Sequence, residues 1–365
     1  MAALFGTAPT VAAMTTSRTY STRLAAALFL SALLVSAVAI DTGRAGSDHG
    51  CSGTFQWPVK PFDRPHQIRG AFGDPRTVFR GPPTSATLYA GTGSFSFHEG
   101  VDITAPDGTP VYPVATGTVT RVTKEWAGVD CGNGRSFEYW HINARVKVGQ
   151  RVIAGKTILG AIKHGESHVH MTELDHGRPV NPVAPGRLSP YKDTTVPRIS
   201  SLALRNTERG SAEMPQFVRG SVFLVADAFD TAESIDTPGL RTPGIYRNWP
   251  VSPARVTWRV ERWNGQVAVR THLARDVRES IPSNRRFWQT FARGTYQGQS
   301  VFGPHYSYLQ PGHYVFNLAG GVFDTRTLRD GVYDLVVTAA DIADHTDTQI
   351  LRFTVHNAAG WAGKP

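Results

Sequence analysis

Short β-branched runs separated by glycine and proline limit this chain to a mainly β fold. Its 365 residues include 36 glycines and 24 prolines, a composition that favours turns over long helices. No window of twelve residues has convincing helical periodicity, whereas residues 119–123 and 255–260 have the composition of strands. The length is about two to three times that of a typical domain, so we expect two folded parts.

A polar stretch at residues 188–195 divides these parts. Residues 47–190 contain short strand-like runs, among them residues 119–123, 145–148 and 151–153. Residues 196–357 contain longer ones, and Tyr333 stands where immunoglobulin-like sandwiches have their tyrosine corner. We therefore expect a small antiparallel β-sheet domain, then an immunoglobulin-like β-sandwich, then a tail at residues 358–365. We cannot assign strands within residues 261–320.

The N-terminus has the pattern of an export signal. Arg18 and Arg23 precede an apolar run at residues 24–40, and small residues follow it. A positive charge before an apolar run is typical of secretory signals, so residues 1–46 are predicted to be a signal peptide. The run is slightly short for a membrane span, and an uncleaved N-terminal anchor is the alternative. Either way we expect a secreted or cell-envelope protein.

Both cysteines of the chain, Cys51 and Cys131, follow the predicted signal. An even number of cysteines outside the cytoplasm predicts a disulfide, and two free thiols are the alternative.

The formal net charge of +9 does not indicate nucleic acid binding. Basic residues form no run with interleaved aromatic side chains, which such a function would favour. A secreted protein acting near an anionic surface, such as a bacterial wall, accounts for the charge. The sequence indicates no specific protein partner.

Histidines are concentrated in one segment, which predicts a metal or acid–base site there. Six of the 13 lie between residues 98 and 176: His98, His141, His164, His168, His170 and His176. Alternation along a strand places His168 and His170 on one face, ~7 Å apart at their α-carbons. In a straight strand His98 and Asp102 would be ~13 Å apart, so a shared ion requires a bend, which Gly100 permits.

The combination of His98-Glu99-Gly100-Val101-Asp102, Trp140-His141-Ile142 and His168-Val169-His170 resembles the lysostaphin-type (LytM-like) zinc endopeptidases that cut peptidoglycan cross-links. Alone, His141 beside Trp140 would be interpreted as a core histidine. The resemblance covers residues 66–185. It includes five further segments: residues 68–73, 103–111, 148–155, 158–160 and 180–182.

This resemblance implies a metallopeptidase domain at residues 47–190 that holds one Zn²⁺ per chain. The implied ligands are His98, Asp102 and His170, which leave the fourth position to water. His141 and His168 are implied to act on the water proton and the developing oxyanion. The implied substrates are peptidoglycan peptide cross-links. The chain departs from the family after His170, where an aromatic residue and then Glu are usual and Met171 and Thr172 stand instead, with Glu173 one place later.

Two other classes of function stay open at this point. One is a catalytically inactive peptidase-like domain that binds cell wall or a partner protein. The other is a structural or adhesive surface protein in which the C-terminal sandwich dominates. His164 and His176 flank the predicted site, and we expect them to be exposed to solvent.

Overall fold

The computed structural model describes residues 51, 53–79, 93–208, 216–241, 244–295 and 314–357. The predicted signal peptide and tail lie outside these residues. Within them, the named strands pair antiparallel. Helical structure in the described residues is limited to α1 (Phe287–Thr290) and two 3-10 turns (Asn284–Arg286 and Thr325–Thr327). The mainly β, antiparallel fold predicted from the glycine- and proline-rich sequence is therefore confirmed. Among the described residues, no helix has the length and apolar character of a membrane span.

One large sheet organises the first part. In spatial order its strands are β1 (Ile68–Gly70), β4 (Val101–Thr104), β12 (His168–Asp175), β8 (Arg135–Trp140), β7 (Trp126–Gly132), β6 (Gly117–Val122) and β10 (Arg151–Val152), with β13 (Arg178–Val180) paired to β12. A smaller sheet contains β5 (Pro110–Val111), β11 (Gly160–Ile162) and β9 (Ile142–Ala144), and β2 (Pro75–Phe79) pairs with β3 (Gly93–Phe97).

Strand β12 lies at the centre of this sheet, and its alternation separates core from site. Val169 and Met171 are fully buried in the hydrophobic core. Their neighbours His168, His170 and Thr172 alternate with them, so they share the opposite face of the strand. Antiparallel pairing with β4 then places His170 directly opposite Asp102.

The bend predicted at Gly100 is present between β3 and β4. A β-carbon at this position would lie 2.2 Å from the carbonyl oxygen of Met171, so no other residue fits without a shift of the backbone. The bend brings His98 Nε2 to 3.1 Å from Asp102 Oδ1. Glycine at position 100 is thus what allows this bend to lie against the backbone of β12.

The second part consists of two sheets around one core. The first sheet contains β14 (Arg198–Arg205), β15 (Ser221–Thr231), β16 (Pro250–Val251), β19 (Val315–Asn317) and β20 (Phe323–Asp324). The second contains β17 (Arg255–Arg262), β18 (Val267–Asp276), β21 (Gly331–Ala340) and β22 (Thr346–Val355). Leu224 from one sheet and Leu335 from the other lie in the same core. The Tyr333 hydroxyl donates to the Arg329 carbonyl at 2.8 Å, as a tyrosine corner requires. A relationship to immunoglobulin domains stays a prediction.

The described residues from 51 to 357 form one compact unit. Val251 and Val277 of the second part lie in the first hydrophobic core, and Phe97 of the first part lies in the second core. Side chains before and after residue 190 therefore pack in the same cores. The domain boundary near this residue stays a prediction.

One predicted strand, residues 145–148, is wrong. Strand β9 ends at Ala144, and Arg145 then donates its backbone N–H to the Leu159 carbonyl at 2.8 Å, outside any strand ladder. Val146 is buried, but Val148 is 61% exposed. The β-branched residues here therefore do not indicate a strand, because the turn that follows keeps Val148 in solvent.

The predicted disulfide joins Cys51 to Cys131 across 80 residues of sequence. Arg135 also donates to the Cys51 carbonyl at 3.1 Å, which fixes the start of the described chain against β8.

Because the loop is long, we expect Cys131→Ser to lower the free energy of unfolding by about 4 kcal/mol, chiefly through the greater entropy of the unfolded chain. Denaturant unfolding of the variant and the wild type measures this difference. The double variant Cys51→Ser, Cys131→Ser should show the same loss. Unchanged stability in both variants would contradict a stabilising crosslink.

Candidate metal centre

Three side chains from β3–β4 and β12 converge on one point. His98 Nε2 lies 2.7 Å from His170 Nδ1 and 3.1 Å from Asp102 Oδ1. His170 Nδ1 lies 3.0 Å from the same oxygen. Three atoms each ~2 Å from one ion have separations of this order or slightly larger. This arrangement therefore suits a metal ion, and its donor set is two imidazoles and one carboxylate.

The hydrogen bonds made by the atoms that point away from the site determine which of the converging atoms carry lone pairs. His98 Nδ1 donates to the Ala71 carbonyl at 2.8 Å, and His170 Nε2 donates to Thr172 Oγ1 at 2.9 Å. Arg76 binds Asp102 Oδ2 at 2.7 Å, which leaves Oδ1 facing the histidines. Two imidazole lone pairs and a carboxylate oxygen then face each other, and a cation between them would remove their repulsion. The residues present therefore fit a bound metal.

Electrostatics favours the protonation states that metal binding requires. Burial, with Arg76 nearby, lowers the pKa of His98 to about 4. Burial alone would raise the pKa of Asp102, but His98 and Arg76 together hold it well below its usual range. At neutral pH the imidazole of His98 is neutral and the carboxyl group is ionised, as ligands must be.

A second group, His141, Glu166 and His168, adjoins the first. The rings of His141 and His168 are 4.5 Å apart between centroids, and His168 Nε2 lies 3.7 Å from Asp102 Oδ1. His168 Nδ1 donates to the Glu166 carbonyl at 2.6 Å, so its Nε2 carries the lone pair. Burial lowers the pKa of His168 to about 3 and also lowers the pKa of His141.

His141 adopts a left-handed backbone conformation with φ of 64°. Such a conformation is uncommon outside glycine and often marks a functional position. Its side chain is 38% exposed and lies 3.5 Å from the Glu166 carboxylate. His141 is therefore not the core histidine that its neighbours in the sequence alone would indicate.

The other predicted flanking residues lie outside these groups. The side chains of His164 and His176 are 82% and 78% exposed, respectively. Glu173 projects from the opposite face of β12 to His170 and is 1% exposed between Arg135 and Arg187. It serves packing of the sheet and does not face the site.

Sequence reasoning missed a third group, Asp193, Asp341 and His345 in or near the second part. Burial raises the pKa of Asp193, and it raises that of neighbouring Asp230 to about 8. Asp193 is far from Asp341 and His345 in the sequence, so no pattern indicated their contact. Arg76 was missed as a partner of Asp102 for the same reason. Thr172 was also missed, although it is two residues after His170 on β12 and strand alternation could have found it.

Comparison with known proteins places the first group within a recognised family. The sequence model of peptidase family M23 matches residues 96–182, which include both groups of histidines. This segment, about a quarter of the chain, is similar to peptidase family M23. The M23 family implies a bound metal, and His98, Asp102 and His170 are the candidate ligands.

A curated relative from Haemophilus influenzae, described as an uncharacterized metalloprotease, is 36% identical over 102 residues. The match covers 25% of this chain and 22% of the relative, so the chain spans about a fifth of the relative's length.

Several solved structures are similar to the M23 segment. A zinc-containing peptidase from Vibrio cholerae is 25% identical, with a TM-score of 0.28, over 36% of this chain and 39% of that one. LytU is 26% identical, with a TM-score of 0.23, over 32% and 79% of the two chains. A chain of the SpoIIQ–SpoIIIAH pore-forming complex is 19% identical, with a TM-score of 0.27, over 36% and 89%.

Proposed function

We propose that this protein is an extracytoplasmic zinc endopeptidase that hydrolyses peptide cross-links in bacterial peptidoglycan. The observation that carries the proposal is the convergence of His98 Nε2, Asp102 Oδ1 and His170 Nδ1 within 3.1 Å of one another. Their outer atoms are already bonded, so the lone pairs face inward. The match of this segment to peptidase family M23 supports the assignment.

Zinc is the metal that this donor set favours. Two imidazoles and a carboxylate are typical of catalytic zinc sites, which keep one position open. When bound, zinc would supply a water of lowered pKa and would polarise a carbonyl group.

The chain's own histidines then have two tasks. His168 presents an unprotonated Nε2, because its Nδ1 hydrogen is donated to the Glu166 carbonyl. A neutral imidazole in this position can accept a proton from water. His141, beside Glu166 and half-exposed, can hold a hydrogen bond to the oxygen on which negative charge develops. In the opposite assignment, His141 would accept the proton from water and His168 would hold the hydrogen bond to the developing oxyanion.

Location outside the cytoplasm is supported by the Cys51–Cys131 disulfide and by the predicted export signal. The net charge of +9 suits an anionic cell wall. We propose that the two-sheet second part is an immunoglobulin-like module, on the basis of its shared core and of the Tyr333 hydrogen bond.

Digestion of purified peptidoglycan by the zinc-loaded protein tests the proposed activity. We expect about one zinc per chain, release of cross-link fragments with new amino termini, and loss of both on treatment with a chelator. Peptidoglycans of several cross-link types, analysed by mass, identify the bond. Zinc without cleavage would favour the inactive, binding alternative, and neither zinc nor cleavage would favour a structural role.

A further inference from the structure

A segment of the second part borders the candidate metal centre. This edge segment comprises residues 232–241 and 244–249, between β15 and β16. Ile235 donates to the buried Gln67 side chain at 2.8 Å, and Arg241 lies 3.5 Å from Asp107. The Tyr246 hydroxyl accepts a hydrogen bond from Arg69 Nη1 at 2.6 Å. The edge segment is therefore held against the first part beside the histidines.

Arg69 connects this segment to the site. It lies on β1, and its Nη2 is 3.4 Å from His168 Nε2, while its guanidinium lies 5.4 Å from the centre of the Tyr246 ring. Tyr246 in turn packs edge-on against Trp249, which packs on the first core. The guanidinium is thus held from two sides, with one nitrogen directed at a proposed catalytic histidine.

Arg69 has no carboxylate partner within the part of the chain that the structure describes. Its side-chain hydrogen-bond partners are the Tyr246 hydroxyl and the His168 imidazole, and no ion pair of Arg69 is present among the described residues. The contrast with Arg76 is direct, because Arg76 pairs with Asp102 at 2.7 Å. A half-buried cation without a counter-ion is unfavourable unless an anion binds beside it.

We infer that Arg69, held by Tyr246, binds an anionic oxygen of the peptide substrate, and that this oxygen belongs to a free carboxylate beside the scissile bond. Arg69 Nη2 lies 3.4 Å from His168 Nε2, so an oxygen bound to the Arg69 guanidinium would lie beside the proposed acceptor of the water proton. A guanidinium is the side chain best suited to a carboxylate, since its donors form a planar fork. The inference rests on the proposed function and adds a substrate preference to it.

The same chemistry has a second source, the oxyanion that develops during hydrolysis. The two sources differ in the kinetic constant they affect. A substrate carboxylate is bound in the ground state, so Arg69 would then change binding and KM for carboxylate peptides only. An oxyanion exists only in the transition state, so Arg69 would then change kcat equally for all peptides.

The test uses cross-linked peptide dimers released from peptidoglycan and the same dimers with all carboxylates converted to amides. Binding is measured on the metal-free full chain, because a metal ion could itself bind a carboxylate. We expect wild type to bind the free dimer about 10–100-fold more tightly than the amidated dimer. Arg69→Gln should abolish this ratio, and Tyr246→Phe, which keeps the ring and loses the hydroxyl, should reduce it several-fold.

Arg270→Gln is the matched control, because Arg270 is an exposed arginine on β18. It should keep the wild-type ratio. Cleavage by the zinc-loaded variants is measured on both dimers in parallel. An equal fall in kcat on both dimers in Arg69→Gln, without a change in the binding ratio, would assign Arg69 to the oxyanion instead.

The inference is overturned if Arg69→Gln behaves as Arg270→Gln does in both binding and kcat. If the wild type still cleaves peptidoglycan in that case, the proposed function stands and only the role of Arg69 is rejected. A binding ratio that Arg69→Gln abolishes, with no cleavage by any form, would instead contradict the proposed function and leave the assignment of Arg69 standing.

Discussion

Replacing His170 with alanine should remove one of three metal ligands and abolish both zinc retention and peptidoglycan cleavage. His170 Nδ1 lies within 3.0 Å of both His98 Nε2 and Asp102 Oδ1, so no other side chain of the described site can take its place without movement. Loss of a group that only orients a ligand typically weakens metal affinity by ~10–100-fold, and loss of a ligand itself should exceed that. Zinc content after dialysis and a competition titration with a chelator measure the effect.

Two further variants separate ligation from its support. Thr172→Val keeps the shape of the side chain and removes the acceptor for His170 Nε2, so it should weaken zinc affinity by ~10–100-fold without abolishing it. His176→Asn removes an exposed histidine from the same part of the chain, suits its left-handed backbone, and should change neither zinc content nor cleavage. A His170→Ala protein that keeps zinc and cleaves at the wild-type rate would overturn the ligand assignment itself.

The sequence is sufficient to bring the metal-binding residues together because strand geometry is regular. His168 and His170 share a face by alternation, and Gly100 permits the bend that brings His98 to Asp102. Both features are local, so a reader of the sequence can anticipate them. The contact between His170 and Asp102 depends on the pairing of β12 with β4. The sequence predicted this contact only through the resemblance to a known family.

Contacts across the two parts could not be anticipated in this way. Tyr246 lies 177 residues after Arg69, and nothing in the spacing of either residue relates them. The same holds for Ile235, which lies 168 residues after its hydrogen-bond partner Gln67. Such pairs depend on how the edge segment packs, which no periodicity encodes.

Strand β18 illustrates a different limit. It runs over Val267–Asp276 with most of its side chains exposed, including Leu273 at 58%. A strand at the edge of its sheet that is exposed along its length lacks the clear alternation that marks a half-buried strand. Its existence depends on hydrogen bonds to β17, and these are invisible in the hydrophobic pattern.

His141→Ala should keep zinc while losing turnover. His141 belongs to the group with Glu166 and His168 and lies outside the three converging ligands, so metal binding does not require it. A single acid–base group contributes ~10²–10⁴-fold in rate and an oxyanion donor ~10²–10³-fold, so cleavage should fall by about 10²-fold or more. Zinc content, melting temperature and peptidoglycan cleavage are measured on the same preparation.

The left-handed backbone at His141 calls for a second substitution as a control. Asparagine tolerates this conformation better than alanine and also lacks the imidazole. Equal losses in His141→Asn and His141→Ala would therefore assign the effect to the ring, whereas a loss in alanine alone would assign it to the backbone. If His141 served only to pack beside Trp140, both variants would melt at a lower temperature and cleave at nearly the wild-type rate per folded molecule. The 38% exposure of its side chain and its contact with Glu166 argue for the first outcome, because a packing residue would be buried and would not contact a carboxylate.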